Sequence, residues 1–336
     1  MPGSVIVIPA YICKSITDPL MHMGYQIKLV DIERNFQLDP AKVLDVAKKC
    51  DAKAVLVVHY FGFPCDVSQL AEQLRLNGIR VIEDCSHSFL THSGNEPLGS
   101  KGDAAIFSMR KTLPIPDGGA LRLNSYDFDK NVFTTPAKLA PNVGCYLAIR
   151  AAESIVASVG WPNLYSQTVD KFRKYIRQSF KADNSALTDN LELCQQSPSR
   201  LFVNYLSSEG YLKKISEQVV MNYVKLIKGS SELGQRPVIP QLPIGCVPQW
   251  AVFDDPSGRL VPWLRKHGVG ACHWPWHELP TAVTRQPEAY PISIDLNQRL
   301  ALLPVHQSIG YKQIAHMLHL IKHLVNRAPT ISKESD

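Results

Sequence analysis

The stretch VIEDCSHSFL, residues 81–90, is an apolar run that ends in Glu83 and Asp84 and continues directly to His87. Similar runs rich in β-branched residues come before and after it, which is typical of strands. Segments with apolar residues at helical spacing separate these runs up to about residue 125. Because strands and helices alternate, the sequence predicts an α/β fold around a mostly parallel sheet.

The composition excludes several classes of protein. The chain has 336 residues, of which 45% are hydrophobic and 20% charged, an ordinary globular balance. No apolar run reaches the ~18 residues of a membrane helix, and we expect neither a membrane span nor a signal peptide. The eight cysteines form no CxxC pair, and this argues against a zinc ribbon and favours a cytoplasmic location. The net charge of +6 is spread along the chain, so we expect no nucleic-acid partner.

The pattern of the chain changes twice. The alternation stops near residue 125, and proline clusters and a second α/β pattern begin near residue 236. We therefore predict a large α/β domain over residues 1–125, a helical connecting region over 126–235 and a smaller C-terminal domain over 236–330.

Polar side chains follow three of the predicted strands. His59, Asp84 and Lys111 each lie at or just beyond the carboxyl end of such a run. Ligands of parallel α/β sheets bind at that edge, so the three side chains could converge on one pocket. Each also has an ordinary alternative role: Asp84 as a turn cap, His59 as a hydrogen-bonded core residue and Lys111 as a solvated loop lysine.

Taken in order, seven stretches resemble the DegT/StrS family of sugar aminotransferases, which are pyridoxal-phosphate (PLP) enzymes. The resemblance implies a PLP-dependent transferase fold of the aspartate-aminotransferase type, with a mostly parallel large domain and a smaller C-terminal α/β domain. The stretches are VIVIPAYIC (5–13), VVHYFGFPCDV (57–67), VIEDCSHS (81–88), GSKGDAAIFSMRK (99–111), PDGGALRL (116–123), LRKHGVGACHWPWHELP (264–280) and LALLPVHQSIGYKQIAHML (300–318).

The resemblance implies roles for four cofactor-binding residues. Lys111 would attach PLP and then move a proton as the catalytic base. Asp84 would pair with the pyridine nitrogen and favour its protonated form. His87, where the family usually has Gln, would donate a hydrogen bond to the phenolic oxygen. Ser108 would bind part of the phosphate, although it is closer in sequence to Lys111 than the family's serine is to its lysine.

Other residues follow from the same comparison. His59 and His273 are the predicted substrate contacts, and Glu83 is expected to face away from Asp84, because neighbouring strand residues point to opposite sides. The family's ring-stacking aromatic falls near Cys13, which is not aromatic. Tyr11 is nearby but could face the core.

The start of the chain differs from the family pattern. Family members carry, before the first strand, a segment that binds the PLP phosphate at a helix N-terminus. We expect that the sequence is a shortened version of a longer product or that this anchor has been lost.

The function expected is amino transfer from an amino acid such as glutamate to a keto-sugar, in nucleotide-linked form, by a homodimer that binds PLP. The alternative is a non-catalytic PLP-fold protein with a binding or regulatory role. No metal is expected: Pro275 lies between His273 and His277, and a third ligand is not evident. The three histidines 316, 319 and 323 predict a solvated or half-buried helix face.

Overall fold

The computed structural model describes residues 2–115, 118–125, 138–139, 196–197, 208–275 and 279–326. Its strands are β1 (Val5–Pro9), β2 (Gln26–Val30), β3 (Ala54–Val58), β4 (Arg80–Asp84), β5 (His92–Ser93), β6 (Glu96–Pro97), β7 (Ala104–Ser108), β8 (Gly119–Leu123), β9 (Lys138–Leu139), β10 (Gln196–Ser197), β11 (Arg236–Pro237), β12 (Trp250–Asp254) and β13 (Leu300–Pro304). Its α-helices are α1 (Lys14–His22), α2 (Pro40–Lys49), α3 (Ser68–Leu76), α4 (Glu209–Glu232), α5 (Leu260–Lys266), α6 (Thr281–Arg285), α7 (Pro291–Arg299) and α8 (Tyr311–Asn326).

The main sheet has the strand order β2-β1-β3-β4-β7-β8. The first five of these strands are parallel, and β8 is antiparallel to β7. Strand β3 is almost entirely buried, as expected for a continuous apolar run covered on both faces. The prediction of a mostly parallel α/β sheet is therefore confirmed.

Local signals explain where the helices of this layer begin. The Asp39 carboxylate caps α2 by accepting hydrogen bonds from the backbone N–H groups of Ala41 and Lys42. Pro40 occupies the first helical position, where its missing N–H costs nothing. One face of α2 then buries Val43 and Ala47 against the sheet.

A second, antiparallel sheet has the strand order β11-β12-β13. Helices α4, α5 and α8 pack around it, and α4 contacts β11, β12 and α8. Helix α4, which lies within the predicted helical connecting region, thus packs on the C-terminal sheet. Most of the predicted 126–235 region lies outside the described residues, and the domain boundaries stay a prediction.

The two sheets share one continuous apolar core. Polar contacts join them as well: the Asp31 carboxylate, just after β2, accepts from the N–H groups of Ile292 and Ser293 at the start of α7. The Gln249 N–H donates to the Phe61 carbonyl at 2.7 Å. The C-terminal unit therefore packs directly against the loops that follow the parallel strands. In the described parts of the chain, no helix combines the length and the apolar character needed to span a membrane.

Candidate active site

The register of the parallel strands decides which side chains share a face. Val58, Asp84 and Ile106 are lateral neighbours across β3, β4 and β7. Side chains of paired residues point to the same side of a sheet, and so do residues two apart on one strand. Ser108, two residues after Ile106, therefore lies on the same face as Asp84, at the carboxyl edge of the sheet.

Asp84 is held at the end of β4. Its side chain is buried, and one carboxylate oxygen accepts from the Ser86 N–H at 2.9 Å. The Asp84 carbonyl accepts from the His59 N–H, which continues the β3–β4 pairing. The carboxylate is thus fixed by the strand end and not by a flexible loop.

Lys111 closes the short 3₁₀ turn Met109–Lys111 that follows β7. Its side chain reaches solvent, yet its pKa is lowered, first because the surrounding protein removes water from the ammonium. Asp84 and Cys13 act in the opposite direction and raise the pKa, and Arg110 lowers it further. The Lys111 ammonium and the Asp84 carboxylate therefore interact.

His87 lies in the same group of residues. Burial lowers its pKa well below the ordinary histidine value, and the charge of Lys111 adds to this effect. The ring stacks on Phe61, with centroids 5.8 Å apart and planes at 11°, and the Trp274 ring meets it edge-on at 5.6 Å. Nδ1 accepts from the Phe61 N–H at 3.3 Å. The structure thus brings Asp84, His87 and Lys111 together.

His59 lies on the opposite face of the sheet, which corrects the expectation that it contacts the substrate. It is fully buried, and both ring nitrogens have protein partners. Nε2 lies 2.9 Å from Oε2 of Glu83, and Nδ1 accepts from the Cys65 N–H at 3.0 Å. The reason is strand parity: His59 follows Val58, the neighbour of Asp84, and so has the orientation of Glu83. The expectation that Glu83 points away from Asp84 is confirmed.

Three groups that often bind metals surround this pair. In the described part of the chain, His59, Glu83 and Cys85 bring their candidate ligand atoms within 4.8 Å of one another. Because Nδ1 of His59 accepts a hydrogen bond, its Nε2 carries the proton and donates to Glu83. Burial raises the pKa of the Cys85 thiol far above its usual value, so the sulfur also keeps its proton. The hydrogen bonds of His59 and Glu83 account for the close approach of these two side chains in the core.

The C-terminal segment reaches the site through Trp274, a residue that the sequence analysis did not single out. Its indole contacts His87 and Phe61, and its carbonyl accepts from the Tyr11 hydroxyl at 2.8 Å. Tyr11 is fully buried and hence faces the core. Nδ1 of the neighbouring His273 lies 2.9 Å from the Leu300 carbonyl, so one side of that ring is occupied. The periodic pattern around residue 274 gave no signal for this contact.

Among the described residues, the other histidines considered in the sequence analysis are not part of the group formed by Asp84, His87 and Lys111, and neither are the open clefts. His277 is outside the described residues. His316, His319 and His323 are exposed on α8, as predicted for a solvated face, with the rings of the last two 4.4 Å apart. Two open clefts of about 490 and 390 Å³ are lined by neither Asp84, His87 nor Lys111. The second is lined by His59 and Glu83, on the opposite face of the sheet.

Comparison with known proteins gives matches in sequence and in fold. The family model of the DegT/DnrJ/EryC1/StrS aminotransferases matches residues 1–137. Protein MosB of Rhizobium meliloti is 33% identical over 121 residues, which are 35% of this chain and 24% of that protein. The spore coat polysaccharide biosynthesis protein SpsC of Bacillus subtilis (strain 168) is 32% identical over 123 residues, 36% of this chain and 31% of that protein. The chain thus spans about a quarter to a third of the length of these relatives.

The fold comparison covers more of the chain. The PLP-form of the putative sugar aminotransferase Spr1654 from Streptococcus pneumoniae superimposes with a TM-score of 0.67. The match covers 97% of this chain and 81% of that protein at 14% sequence identity, so it reports on the fold. The fold is the one seen in solved PLP-dependent aminotransferases, as predicted, and residues 1–137 are similar in sequence to the DegT/DnrJ/EryC1/StrS aminotransferase family.

Proposed function

We propose that the protein is a PLP-dependent aminotransferase that transfers an amino group from an amino acid such as glutamate to a nucleotide-linked keto-sugar. The observation that carries the proposal is the grouping of Lys111, Asp84 and His87 at the carboxyl edge of the parallel sheet. An accessible amine beside a buried carboxylate is the pair that PLP requires.

The residues present fit the cofactor. Lys111 offers an amine that is more often neutral than an ordinary lysine, because its pKa is lowered, and only a neutral amine is nucleophilic. Asp84 would pair with the ring nitrogen, and His87 would donate to the phenolic oxygen. Ser108 lies on the Asp84 face, and it and Arg110 would serve the phosphate. When bound, PLP supplies the electron sink for amino transfer.

The chain's own residues account for the proton movements. Lys111 would be the group that takes a proton at the reacting carbon and returns it, because its amine is accessible and its pKa is lower than that of an ordinary lysine. Asp84 would supply a negative charge that orients the cofactor ring, and the aromatic side chains of Phe61 and Trp274 keep water away from His87.

The substrate class rests on similarity to named proteins. SpsC is named for spore coat polysaccharide biosynthesis, and Spr1654 is a putative sugar aminotransferase. We extend this to a keto-sugar in polysaccharide or amino-sugar biosynthesis, with His273 as a proposed substrate contact. A homodimer and a cytoplasmic location complete the proposal; the described cysteines are all free thiols, as a reducing compartment favours.

Cofactor uptake tests the proposal. Purified protein incubated with PLP is expected to gain a visible absorbance band, and borohydride is expected to fix the cofactor covalently to Lys111, as located by peptide mass spectrometry. Lys111→Ala should abolish the fixation. Lys53→Ala, at an exposed lysine just before β3 that pairs with Asp51, is the control and should behave as wild type.

The alternative function is a non-catalytic protein of the same fold with a binding or regulatory role. It predicts PLP uptake that does not depend on Lys111. Equal uptake by the wild-type protein and Lys111→Ala, with unchanged circular dichroism, would exclude the aminotransferase.

A further inference from the structure

The His87 ring is held on three sides. The Phe61 ring stacks on it at an interplanar angle of 11°, and the Trp274 ring meets it at 82°. On the third side Nδ1 accepts a hydrogen bond from the Phe61 N–H at 3.3 Å. Phe61 thus supplies both a stacking surface and a hydrogen-bond donor, and Trp274 covers a further side of the ring. We call Phe61 and Trp274 the two walls of the His87 cage.

The hydrogen bond to Nδ1 decides the tautomer of the ring. A nitrogen that accepts a hydrogen bond carries no proton, so in the neutral ring the proton is on Nε2. In the part of the chain that the structure describes, Nε2 has no hydrogen-bond partner, although His87 is only 8% exposed. Among the described side chains, Nε2 is not one of the fully buried atoms that lack a partner, so an acceptor oxygen of a bound ligand can reach this N–H and pair with it.

The donor of this bond is held in an unusual backbone conformation. Phe61 has a φ of 57°, in the left-handed region that residues other than glycine rarely adopt. Two contacts from the C-terminal unit hold it there: Gln249 donates to the Phe61 carbonyl, and the backbone of residues 247–249 packs on Gly62. A Cβ at Gly62 would lie 2.5 Å from the Val247 carbonyl oxygen, so the fit is close. Strain that is maintained by packing often marks a functional position.

Trp274 is anchored both by the N-terminal part of the chain, which carries the parallel sheet, and by the C-terminal unit. Its carbonyl accepts from the Tyr11 hydroxyl, just after β1, and from Asn297 of α7, at 2.8 and 3.3 Å. Trp274 is 6% exposed, and its indole contacts Phe61 as well as His87. Contacts from the C-terminal unit therefore hold both walls of the His87 cage, Phe61 and Trp274, in place.

We propose that Phe61 and Trp274 are positioning residues that fix His87 as the Nε2–H tautomer and present this N–H to an acceptor oxygen of the molecule bound beside Lys111. The inference rests on the proposed function, because the proposed function is what places a molecule beside Lys111. Lys111 is the charged group that acts on His87, and a neutral donor adds no second positive charge beside its ammonium. The neutral ring then donates a hydrogen bond as an uncharged amide would.

Nitrogen NMR on the ligand-free protein tests the tautomer directly. In protein labelled with ¹⁵N-histidine, His87→Gln identifies the His87 signals among the eleven histidines. We expect an unprotonated shift at Nδ1 and a protonated shift at Nε2. The opposite assignment, or averaged shifts in the wild-type protein, would overturn the proposal.

Variants of the two walls test the positioning. Trp274→Ala, and the milder Trp274→Phe should the first not fold, are expected to move the two His87 shifts towards an averaged value, and Phe61→Leu should do the same. The control is Trp263→Phe, because the Trp263 ring contacts His267 in a tilted arrangement, with centroids 4.2 Å apart, and should move only that residue's signals. Unchanged His87 shifts in both wall variants would contradict the positioning role.

Cofactor affinity tests the presented N–H and separates this inference from the proposed function. His87→Gln keeps an N–H donor and should bind PLP as wild type does, whereas His87→Ala should bind roughly fivefold more weakly, the effect of one hydrogen bond of ordinary strength. Equal affinities of the two variants would refute the presentation of the N–H. If the tautomer is as expected but no PLP binds, the proposed function falls and the positioning role stands.

Discussion

The carboxylate of Glu83 lies at the centre of a buried hydrogen-bond network behind the site, and replacing it should be costly. Oε2 accepts from His59 Nε2 at 2.9 Å and from the Gly99 N–H at 3.2 Å. Oε1 accepts from the N–H groups of Lys101 and Gly102. All four groups are donors, and Glu83 is 1% exposed. Glu83→Gln keeps the shape of the side chain but turns one of its two acceptors into a donor.

The size of the effect follows from counting these bonds. Whichever way the amide is turned, its NH₂ group faces two donors, and two hydrogen bonds to a charged acceptor are lost. Such bonds contribute about 1.5–3 kcal/mol each, so Glu83→Gln should lower the free energy of unfolding by about 3–6 kcal/mol. This is a large part of the roughly 5–15 kcal/mol that stabilises a typical domain.

The assay is urea unfolding followed by circular dichroism. The control is Glu96→Gln, because Glu96 pairs with Lys101 on the surface and its loss should cost less than about 1 kcal/mol. A loss below 1 kcal/mol for Glu83→Gln would refute the network as described.

The same network predicts a pH dependence. Burial raises the pKa of Glu83, but the hydrogen bonds from His59 and Gly102 outweigh it and the net shift is downward. Because the pKa of Glu83 is lower in the folded protein than in the unfolded chain, where it is about 4.3, the ionised carboxylate stabilises the fold above about pH 4.3. This contribution is lost as the pH falls through the pKa of the folded state. The difference in stability between the wild-type protein and Glu83→Gln should therefore narrow below about pH 4. A difference that stays constant into this acid range would contradict the assignment.

Two further predictions concern the turn and the site. Gly62→Ala should lower the free energy of unfolding by about 1–3 kcal/mol, because φ is +97° and the new Cβ would meet backbone atoms of residues 247–249. Gly78→Ala, at φ +69° with no atom within 4 Å of the new Cβ, should cost less, and equal urea midpoints would contradict the packing argument. Asp84→Asn should lower the pKa of Lys111 further, since the carboxylate raises it. Reductive methylation of Lys111 at pH 8, followed by mass spectrometry, should then be faster, and an unchanged rate would mean that the two groups do not interact.

Local sequence patterns predicted the sheet and part of the candidate site. Strand runs and helical spacing repeat among neighbouring residues, so the β-α alternation and the polar strand ends at Asp84 and Lys111 were visible without coordinates. The two-residue period of a strand also gave the opposite orientation of Glu83. The same period would have placed His59 with Glu83 had the register of β3 against β4 been known.

Only the tertiary structure decided which distant segments complete the site. Trp274 and the turn at Phe61 carry no local signal for their contact with His87, because that contact depends on how the C-terminal unit packs on the strand ends. The left-handed conformation of Phe61 is likewise maintained by residues 247–249, far along the chain. Sequence periodicity reflects the environment of residues that are close together in the chain. The two walls of the His87 cage come together only when distant segments of the chain pack against each other.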